Sequence, residues 1–443
     1  MFYISKDTEL TTELLQKIMD KFTTYTQPKL KKWKDYYDGK HAILQKSYAD
    51  ESKVCNRIVT NYTKIITDTY SGYICGKPVT YSSNDDITDV QEVINYNDDN
   101  AENIAFCTNA LIYGVAYELQ WLDKDSKTRY SQVSPLNAFA VYDNTLDNNL
   151  LYFVRWYDAN SIDDDEVKCV EVYTANAIKY YKVNGIGGSL QFVEEKQHYF
   201  GDVPVSVFWL NEDTEENIFN CVISLNDAYN ELQSSEVDDF SAFCDAYLAL
   251  TGMDADDEDV AKMKSNRVLL LPEGGTAAWL TKNASDTQIV NMLDNIKKNI
   301  FKVSAAPDMG DEQFLAQSGT ALAYKLVGFE NVASGIVAKF TKAIQRRIEL
   351  ICNVLNLKAS DAVWRDIQIN FVRNLPVNTT ETIQLVNALK GVVSDATLLA
   401  QLPFIDDVQA ELEAVQKQKK ENMALYDFGN GNTGNVTENE DDE

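Results

Sequence analysis

The sequence predicts an α+β fold that is mainly helical, with long helices, one antiparallel β region and a small β insertion. Two tracts, 205–271 and 308–375, contain no proline, and their apolar residues recur every three or four positions, as on one face of a helix. Residues 115–210 instead hold short β-branched and aromatic runs separated by turn-forming residues. A Pro-Glu-Gly-Gly turn at 272–275 separates two more short runs, which predict the small β insertion.

The composition indicates a chain that can bury a sizeable core. Of its 443 residues, 45% are apolar and 24% charged, and usual domain sizes suggest about two to four domains. Seven cysteines are scattered without a C-x-x-C pair, which is typical of free thiols in a reducing compartment. Because His41 and His198 are the two histidines, we expect no Cys/His zinc site. The N-terminus has no signal-peptide core and no run of about 18 apolar residues occurs, so we expect a soluble, intracellular chain without a membrane span.

The net charge is −28. An acidic surface repels nucleic acid and anionic membrane, whereas a protein that grips DNA phosphates is normally basic. If the chain meets DNA, we expect it to do so without holding it tightly.

The N-terminal half predicts helices followed by strands. Apolar residues at helical spacing predict a helical tract over 8–38, in which Pro28 opens a second helix. Another helix is predicted over 54–72, ending at Gly72. The predicted antiparallel strands then read GVAYELQWL, NAFAVYD, LLYFVRWYD, KCVEVYTANAIKYYKV and LQFVEEK.

The C-terminal half predicts three long helices. Apolar steps from Ile218 to Leu250 predict one helix of about 33 residues, about 50 Å long at 1.5 Å per residue. Helix 285–302 follows the β insertion, and after a loop the steps from Leu322 to Leu355 predict a helix of about 36 residues. Gly328 and Gly335 are candidate kinks in that helix.

After a predicted strand in IQINFVRNLPVN, the chain ends in short helices. One covers 380–391 and ends at Gly391, and the next is capped by Ser394. A capping box of Asp406 and Gln409 starts a last helix that runs to about 424. Residues 429–443 contain five acids and no bases, and we expect them to be disordered.

The stretch YSGYICGKPVTY, Tyr70 to Tyr81, has some likeness to a phosphate-binding loop. It fails the pattern G-x-x-x-x-G-K-[ST] because it is one residue short and has Pro78 where the magnesium-binding hydroxyl is needed. It also runs from a predicted helix to a strand, the reverse of a phosphate loop. DADDED lacks the glycine and final glutamate of a calcium loop, and no catalytic signature occurs elsewhere. We therefore expect no catalytic residues, no metal site and no cofactor.

Several stretches resemble the portal proteins of tailed bacteriophages, of the type found in long-tailed phages of Gram-positive hosts. The resemblance covers the chain in order and rests on the stretches YYDGKHAIL, NRIVTNYTKIITDTYSGYICGKPVTY, FCDAYLALTG, PDMGDEQFLAQSGTALAYKLVGFENVA and SDATLLAQLPFIDDVQAELE. It implies a portal fold with wing, stem, clip and crown, and a ring, usually of twelve subunits, that forms the channel for DNA at one capsid vertex.

The implied division of the chain follows the predicted elements. The wing comprises 1–216 and, after the channel, the long helix and strand of 321–377. Two stem helices, 217–250 and 285–302, flank a clip at 251–284. A tunnel loop at 303–320 faces the channel, 378–428 form the crown, and 429–443 are the acidic tail.

The resemblance also implies roles for individual residues. The channel-facing tunnel-loop residues are Met309, Gly310, Asp311, Glu312, Gln313 and Phe314, and a core-anchor role stays open as the less favoured alternative for Phe314. Lysines of the second stem helix that soften the acidic field of the channel are Lys297, Lys298 and Lys302, for which an ordinary solvent-facing role stays open. Clip residues that dock partners or add strands across subunits are Asp254, Asp256, Asp257, Arg267, Leu269, Leu271 and Trp279.

The implied partners are other copies of the chain, the terminase large subunit, a head-completion or adaptor protein, the major capsid and scaffolding proteins, and double-stranded DNA that passes without tight binding. The implied location is the portal vertex of the virion, after synthesis and assembly in the host cytoplasm. Two alternatives stay open: a scaffold or interaction protein without a channel, and an intracellular enzyme with an unrecognised carboxylate site.

Overall fold

A computed structural model describes the chain up to residue 419. Within that span it leaves out 51–52, 160–166, 185–187, 213–214, 244–247, 252–273, 280–285, 311–318, 358–362, 375–383, 385, 400–401, 403–404, 406–407 and 409–410. The chain divides into two compact units. The first comprises Met1–Leu315 and Lys325–Asn374, and the second comprises Ala316–Tyr324 and Leu375–Glu443.

Helices account for much of the described chain. Their bounds are α1 Thr12–Lys21, α2 Gln27–Tyr37, α3 Tyr62–Cys75, α4 Thr88–Tyr96, α5 Asp99–Tyr113, α6 Ile223–Phe243, α7 Asp286–Ser304, α8 Gly319–Leu357 and α9 Asp395–Leu399. The predicted helical tract over 8–38 is confirmed as α1 and α2, joined by a π-helical turn at Phe22–Thr26. Thr11 caps α1 by accepting the N–H of Leu14.

Two sheets form the β region. The strands before α6 are β1 Phe2–Ile4, β2 Thr80–Ser82, β3 Val115–Leu122, β4 Thr128–Val133, β5 Ala138–Asp143, β6 Leu150–Asp158, β7 Val167–Tyr173, β8 Ala177–Asn184, β9 Gln191–Gln197 and β10 Val205–Trp209. A six-stranded sheet has the order β1-β5-β6-β7-β8-β9, and a three-stranded sheet has the order β10-β3-β4. All these neighbours are antiparallel, as predicted, except the β1–β5 pair, which is parallel and was not predicted.

The predicted helix over 217–250 is wrong at both ends. Helix α6 begins at Ile223 and ends at Phe243, and Leu248–Thr251 form a strand, β11. This strand pairs antiparallel with β12, Thr276–Trp279, so that Leu248 lies opposite Trp279. Apolar steps of three or four cannot separate a helix from a short apolar strand, and here pairing across the insertion decides the structure.

The longest predicted helix is confirmed as α8, with 39 residues. Its apolar positions are buried at the predicted spacing: Leu326, Phe329, Ala333, Ile336, Phe340, Ile344, Ile348 and Ile351. The helix continues through Gly328 and Gly335. The predicted strand after it is confirmed as β13, Gln368–Asn370, which pairs antiparallel with β2.

Arg347 fixes α8 to the rest of the first unit from inside the core. Its guanidinium is fully buried and donates to both carboxylate oxygens of Glu118, at 2.7 and 2.5 Å, and to Asp99 at 2.6 Å. It also donates to Asn103 and lies 4.5 Å from the ring centroid of Tyr130. Burial raises the pKa of Glu118, and the charge of Arg347 opposes that shift. One residue of α8 therefore joins α5, which carries Asp99, to β3, which carries Glu118.

The stretch that has some likeness to a phosphate loop runs from helix to strand, as predicted. The helix predicted over 54–72 is wrong at both ends, because α3 begins at Tyr62 and continues past Gly72 to Cys75, with Gly76 as its C-cap. A side chain at position 76 would collide with the carbonyl of Gly72 and the amide of Asn374, so glycine is required there for close packing. The extended segment after Lys77-Pro78 then forms β2.

In the second unit, two of the local sequence features that predicted the ends of short helices lie at described residues, Gly391 and Ser394. Gly391 has φ +85°, the left-handed conformation that ends a helix. The hydroxyl of Ser394 accepts the N–H of Thr397 at 3.3 Å, which confirms the predicted cap of α9. The acidic tail 429–443 lies outside the described residues.

Candidate functional site

The site that the sequence predicts has three parts: the start of the loop after α7, the lysines of α7, and the insertion between α6 and α7. Helices α6 and α7 pack against each other in the first unit. Ile300 of α7 is buried, and Phe301 contacts Tyr62 edge-to-face with ring centroids 5.7 Å apart. These contacts attach the end of α7 to the start of α3.

The base of the loop is firmly anchored. Tyr70 of α3 donates its hydroxyl to the carbonyl of Ser304 at 2.9 Å, and its ring packs against Phe329 of α8 with centroids 4.5 Å apart. Ala305 has φ +56°, a conformation that is uncommon for a residue other than glycine, and Ala306 is buried. The loop therefore leaves α7 through a sharp change of direction that Tyr70 helps to hold.

Asp308 makes the last described anchor. Its carboxylate lies 2.8 Å from the ammonium of Lys297 and accepts the N–H of Gly310 at 3.0 Å. The hydrogen bond with Asp308 raises the pKa of Lys297. Asp308 was not among the predicted site residues, although Asp two positions before Gly is a recognisable signal for a side chain that bonds to its own backbone.

The predicted lysines differ in their surroundings. Lys297 is half-buried and paired with Asp308, so its charge is already partly compensated. Lys298 and Lys302 are exposed, and no ion pair is found for them in the described part of the chain. Lys302 lies in the last turn of α7, where its charge also complements the helix dipole.

The predicted tunnel-loop residues are described only at their start. Met309 has 51% of its surface exposed, and Gly310 lies in a turn at the surface. Asp311, Glu312, Gln313 and Phe314 lie outside the described residues. Their roles in the channel stay predictions.

The insertion is described at its two ends. Strands β11 and β12 form a two-stranded sheet at its base, with the hydroxyls of Thr251 and Thr276 2.5 Å apart. Trp279 lies at the end of β12, so its backbone position is known. The remaining predicted clip residues lie outside the described residues: Asp254, Asp256, Asp257, Arg267, Leu269 and Leu271.

The buried carboxylates of the first unit are held by basic or hydroxyl partners. Asp99 and Glu118 share Arg347, and Glu171 accepts from Arg155 at 2.6 Å and from Tyr157 at 3.1 Å. Such satisfied carboxylates serve packing and orientation. Within the described ranges, no group of three or more His, Cys, Asp or Glu residues has the arrangement of a metal site.

Comparison with known proteins decides the family. The model of the family described as "Phage portal protein, SPP1 Gp6-like" matches residues 17–424. The chain belongs to this family of phage portal proteins. The match includes the helices α6 and α7, the insertion between them and the loop after α7.

Two curated portal proteins are similar over most of their lengths. The portal protein of Bacillus phage SPP1 is 24% identical over 409 residues, which cover 88% of this chain and 80% of that protein. The portal protein of Clostridium phage phiCD119 is 21% identical over 423 residues, which cover 87% and 92%. Among solved structures, the neck of an empty GTA particle, computed with C6 symmetry, matches at a TM-score of 0.45 and 12% identity, covering 77% of this chain and 88% of that one. That likeness is too weak to support an argument about assembly.

Portal proteins are structural components of the phage particle, which makes this chain a virion protein. In the described portion of the portal chain, none of the helices combines the length and apolar character needed to span a membrane.

Proposed function

We propose that copies of this portal protein close into a ring of twelve at one vertex of the capsid and form the channel through which DNA is packaged and later ejected. The observation that carries the proposal is the portal-family match over residues 17–424. In this ring the protein is structural, and ATP hydrolysis belongs to a separate motor chain.

The wall of the channel is assigned to the end of α7 and to the loop that follows it. Lys298 and Lys302 are exposed on α7, and Met309 and Gly310 are exposed just beyond the anchored loop base. With a net charge of −28, the ring repels the duplex from its wall, and the lysines reduce that repulsion at one level. Weak contact suits a moving polymer, because each tight phosphate contact would have to be broken during passage.

The insertion between α6 and α7 is assigned to docking. In this proposal the clip binds the terminase large subunit during packaging and a head-completion or adaptor protein afterwards, while the wing contacts the major capsid and scaffolding proteins. The two-stranded sheet β11–β12 supports the assignment, because it gives the insertion a rigid base whose strand edges are able to pair with further strands. The ring assembles in the host cytoplasm before it enters the particle.

Deletion of residues 310–317 tests the channel assignment. The deletion starts after Met309, so the bond of Tyr70 to Ser304 and the ion pair of Lys297 with Asp308 remain, while the bond from the Gly310 amide to Asp308 is lost. We expect prohead assembly to continue while DNA packaging or DNA retention fails, as measured by nuclease-protected DNA per particle. A matched control deletes Leu146 in the surface turn between β5 and β6 and should leave both unchanged. Intact packaging and retention in the 310–317 deletion would show that the loop has no role in the channel.

A further inference from the structure

Helix α6 is accompanied along its length by the chain segment that leads into α3. Residues 54–61 adopt neither helix nor strand, and Tyr62 is the first residue of α3. From Asn56 to Tyr62, every second backbone N–H donates to a side chain of α6. The four pairs are Asn56 N–H to Asp238 at 2.5 Å, Ile58 N–H to Ser234 at 3.0 Å, Thr60 N–H to Asn230 at 2.9 Å, and Tyr62 N–H to Asn226 at 3.1 Å.

The spacing of these bonds matches the geometries of the two elements. The acceptors lie four residues apart on α6, which corresponds to about 6 Å along a helix axis at 1.5 Å per residue. The donors lie two residues apart, which corresponds to about 6.6 Å in extended chain. Over the three steps from Asn226 to Asp238 the two repeats differ by only about 2 Å, so the acceptors and the amides keep nearly the same spacing along the helix axis.

The acceptor side chains are polar, yet they form the buried face of α6. Asn226, Asn230 and Ser234 have no exposed surface, and Asp238 is 7% exposed. Burying such groups without partners is costly, so the bonds to the segment are what make this face compatible with the core. The apolar positions of the same helix are less buried, and Phe240 has 70% of its surface exposed.

Further bonds fix the two ends of the contact. At one end, the amide of Asn226 also donates to the carbonyl of Thr60 at 2.8 Å. At the other, Asp238 also accepts from the Asn56 side chain, from the hydroxyl of Tyr48 and from the ammonium of Lys46. The contact is therefore specific in register, because a shift of α6 by one residue would turn every acceptor away by about 100°.

We propose that this polar ladder, Asn226–Asn230–Ser234–Asp238 against residues 56–62, is a register lock that fixes both the rotation and the axial position of α6. Residues 226–238 of α6 and 54–62 then move as one body, and any bending of α6 starts beyond Asp238. The lock is a property of the single chain. Only its role in the channel rests on the proposed function: there the lock prevents α6, the first stem helix, from sliding against the wing as DNA passes.

Hydrogen exchange of the full chain, resolved to single amides by mass spectrometry with electron-transfer fragmentation, tests the lock. We expect alternation: the amides of 56, 58, 60 and 62 exchange about fivefold more slowly than those of 57, 59 and 61, since one net hydrogen bond is worth about 1 kcal/mol and about 1.4 kcal/mol corresponds to tenfold. Uniform exchange along 56–62 would overturn the proposal. This measurement needs no variant and is independent of whether the chain forms a ring.

Two substitutions on α6 sharpen the test. Ser234→Ala removes the acceptor of the Ile58 amide, and we expect the exchange of that amide to accelerate about fivefold. Gln233→Ala is the matched control, because Gln233 accepts from the hydroxyl of Thr60 and from no backbone amide of the segment. Equal exchange at Ile58 in the two variants, with the amides of α8 still protected in both, would contradict the register lock.

Discussion

At the scale of single residues, Arg347 is the buried side chain that depends most on its charged partners. It is a fully buried cation that serves two carboxylates on different elements. Arg347→Ala would leave Asp99 and Glu118 buried without their counter-charge, and we expect a loss of about 3 to 5 kcal/mol in the free energy of unfolding. Urea unfolding measures the loss.

The neighbouring Arg346 is a matched control for that substitution. It makes partly exposed pairs with Asp202 and Glu349, each at 2.8 Å. Because such pairs contribute about 0 to 1 kcal/mol, Arg346→Ala should cost far less than Arg347→Ala. Similar losses for the two variants would refute the central role of the buried network.

Gly72 and Gly76 of α3 should respond to alanine in opposite directions. A Cβ at Gly72 meets no atom within 4 Å, so Gly72→Ala should stabilise the chain by about 0.5 to 1 kcal/mol through its better helix propensity. A Cβ at Gly76 collides with Gly72 and Asn374, so Gly76→Ala should be destabilising. Thermal unfolding of both variants gives the signs, and a stable Gly76→Ala protein would show that the contact with Asn374 is dispensable.

His198 should make the folded protein sensitive to mild acid. Its Nδ1 accepts the N–H of Phe200 and its Nε2 lies 2.8 Å from the carbonyl of Thr174, an arrangement that suits the neutral ring. Burial lowers the pKa of His198. The unfolded chain therefore binds a proton more readily, and the stabilisation is complete above the unfolded pKa of about 6.5 and is lost as pH falls below it.

Comparison of the unmodified chain with His198→Asn isolates this effect from other titrating groups. Glu118, whose pKa is raised by burial, acts with the opposite sign and is present in both proteins. From pH 7.5 to pH 5.5 the melting temperature of the unmodified chain should fall further than that of the variant. An equal loss in both would exclude His198 as a source of the pH dependence.

At the scale of elements, a helix could be predicted from the sequence where the burial of apolar side chains alone decides the structure. Helix α8 could be predicted because most of its buried positions are apolar and recur at helical spacing, although the buried Arg347 on the same helix was not predicted. Helix α6 was predicted too long because Leu248–Thr251 have a helix-compatible pattern and become a strand through pairing with β12. Its buried polar face could not be predicted either, since its four acceptors are polar and their partners are backbone amides 164 to 182 residues away in the chain.

The pair between Lys297 and Asp308 should act as a weak latch on the loop base. Both side chains are partly exposed, at 35% and 25%, and exposed pairs contribute about 0.2 to 1 kcal/mol. We expect Asp308→Asn to accelerate hydrogen exchange of residues 303–310 by up to about fivefold, and high salt to do the same in the unmodified chain.

Lys298→Ala is the control for the latch, because Lys298 lies on the same helix and is exposed without a described ion pair. It should leave the exchange of 303–310 unchanged. If Asp308→Asn also has no effect, the loop base is held by Tyr70 and the buried Ala306 alone.

At the scale of the whole molecule, the function was predicted from several stretches that resemble portal proteins and that follow the same order along the chain. That order predicted the portal family, and the match over residues 17–424 confirms it. Composition and hydrophobic periodicity alone predicted only that the chain is acidic and contains long helices. The number of subunits is set by contacts between copies, which a local pattern of residues does not encode, and twelve therefore stays a prediction.

The most direct test of the account is a cryo-electron microscopy reconstruction of the assembled portal protein. The account predicts a closed ring with twelve-fold symmetry and an open axial channel, with Lys298, Lys302 and Met309 of each copy lining its wall. An assembly without an axial channel, or a ring in which the loop after Asp308 lies on the outer surface, would contradict it.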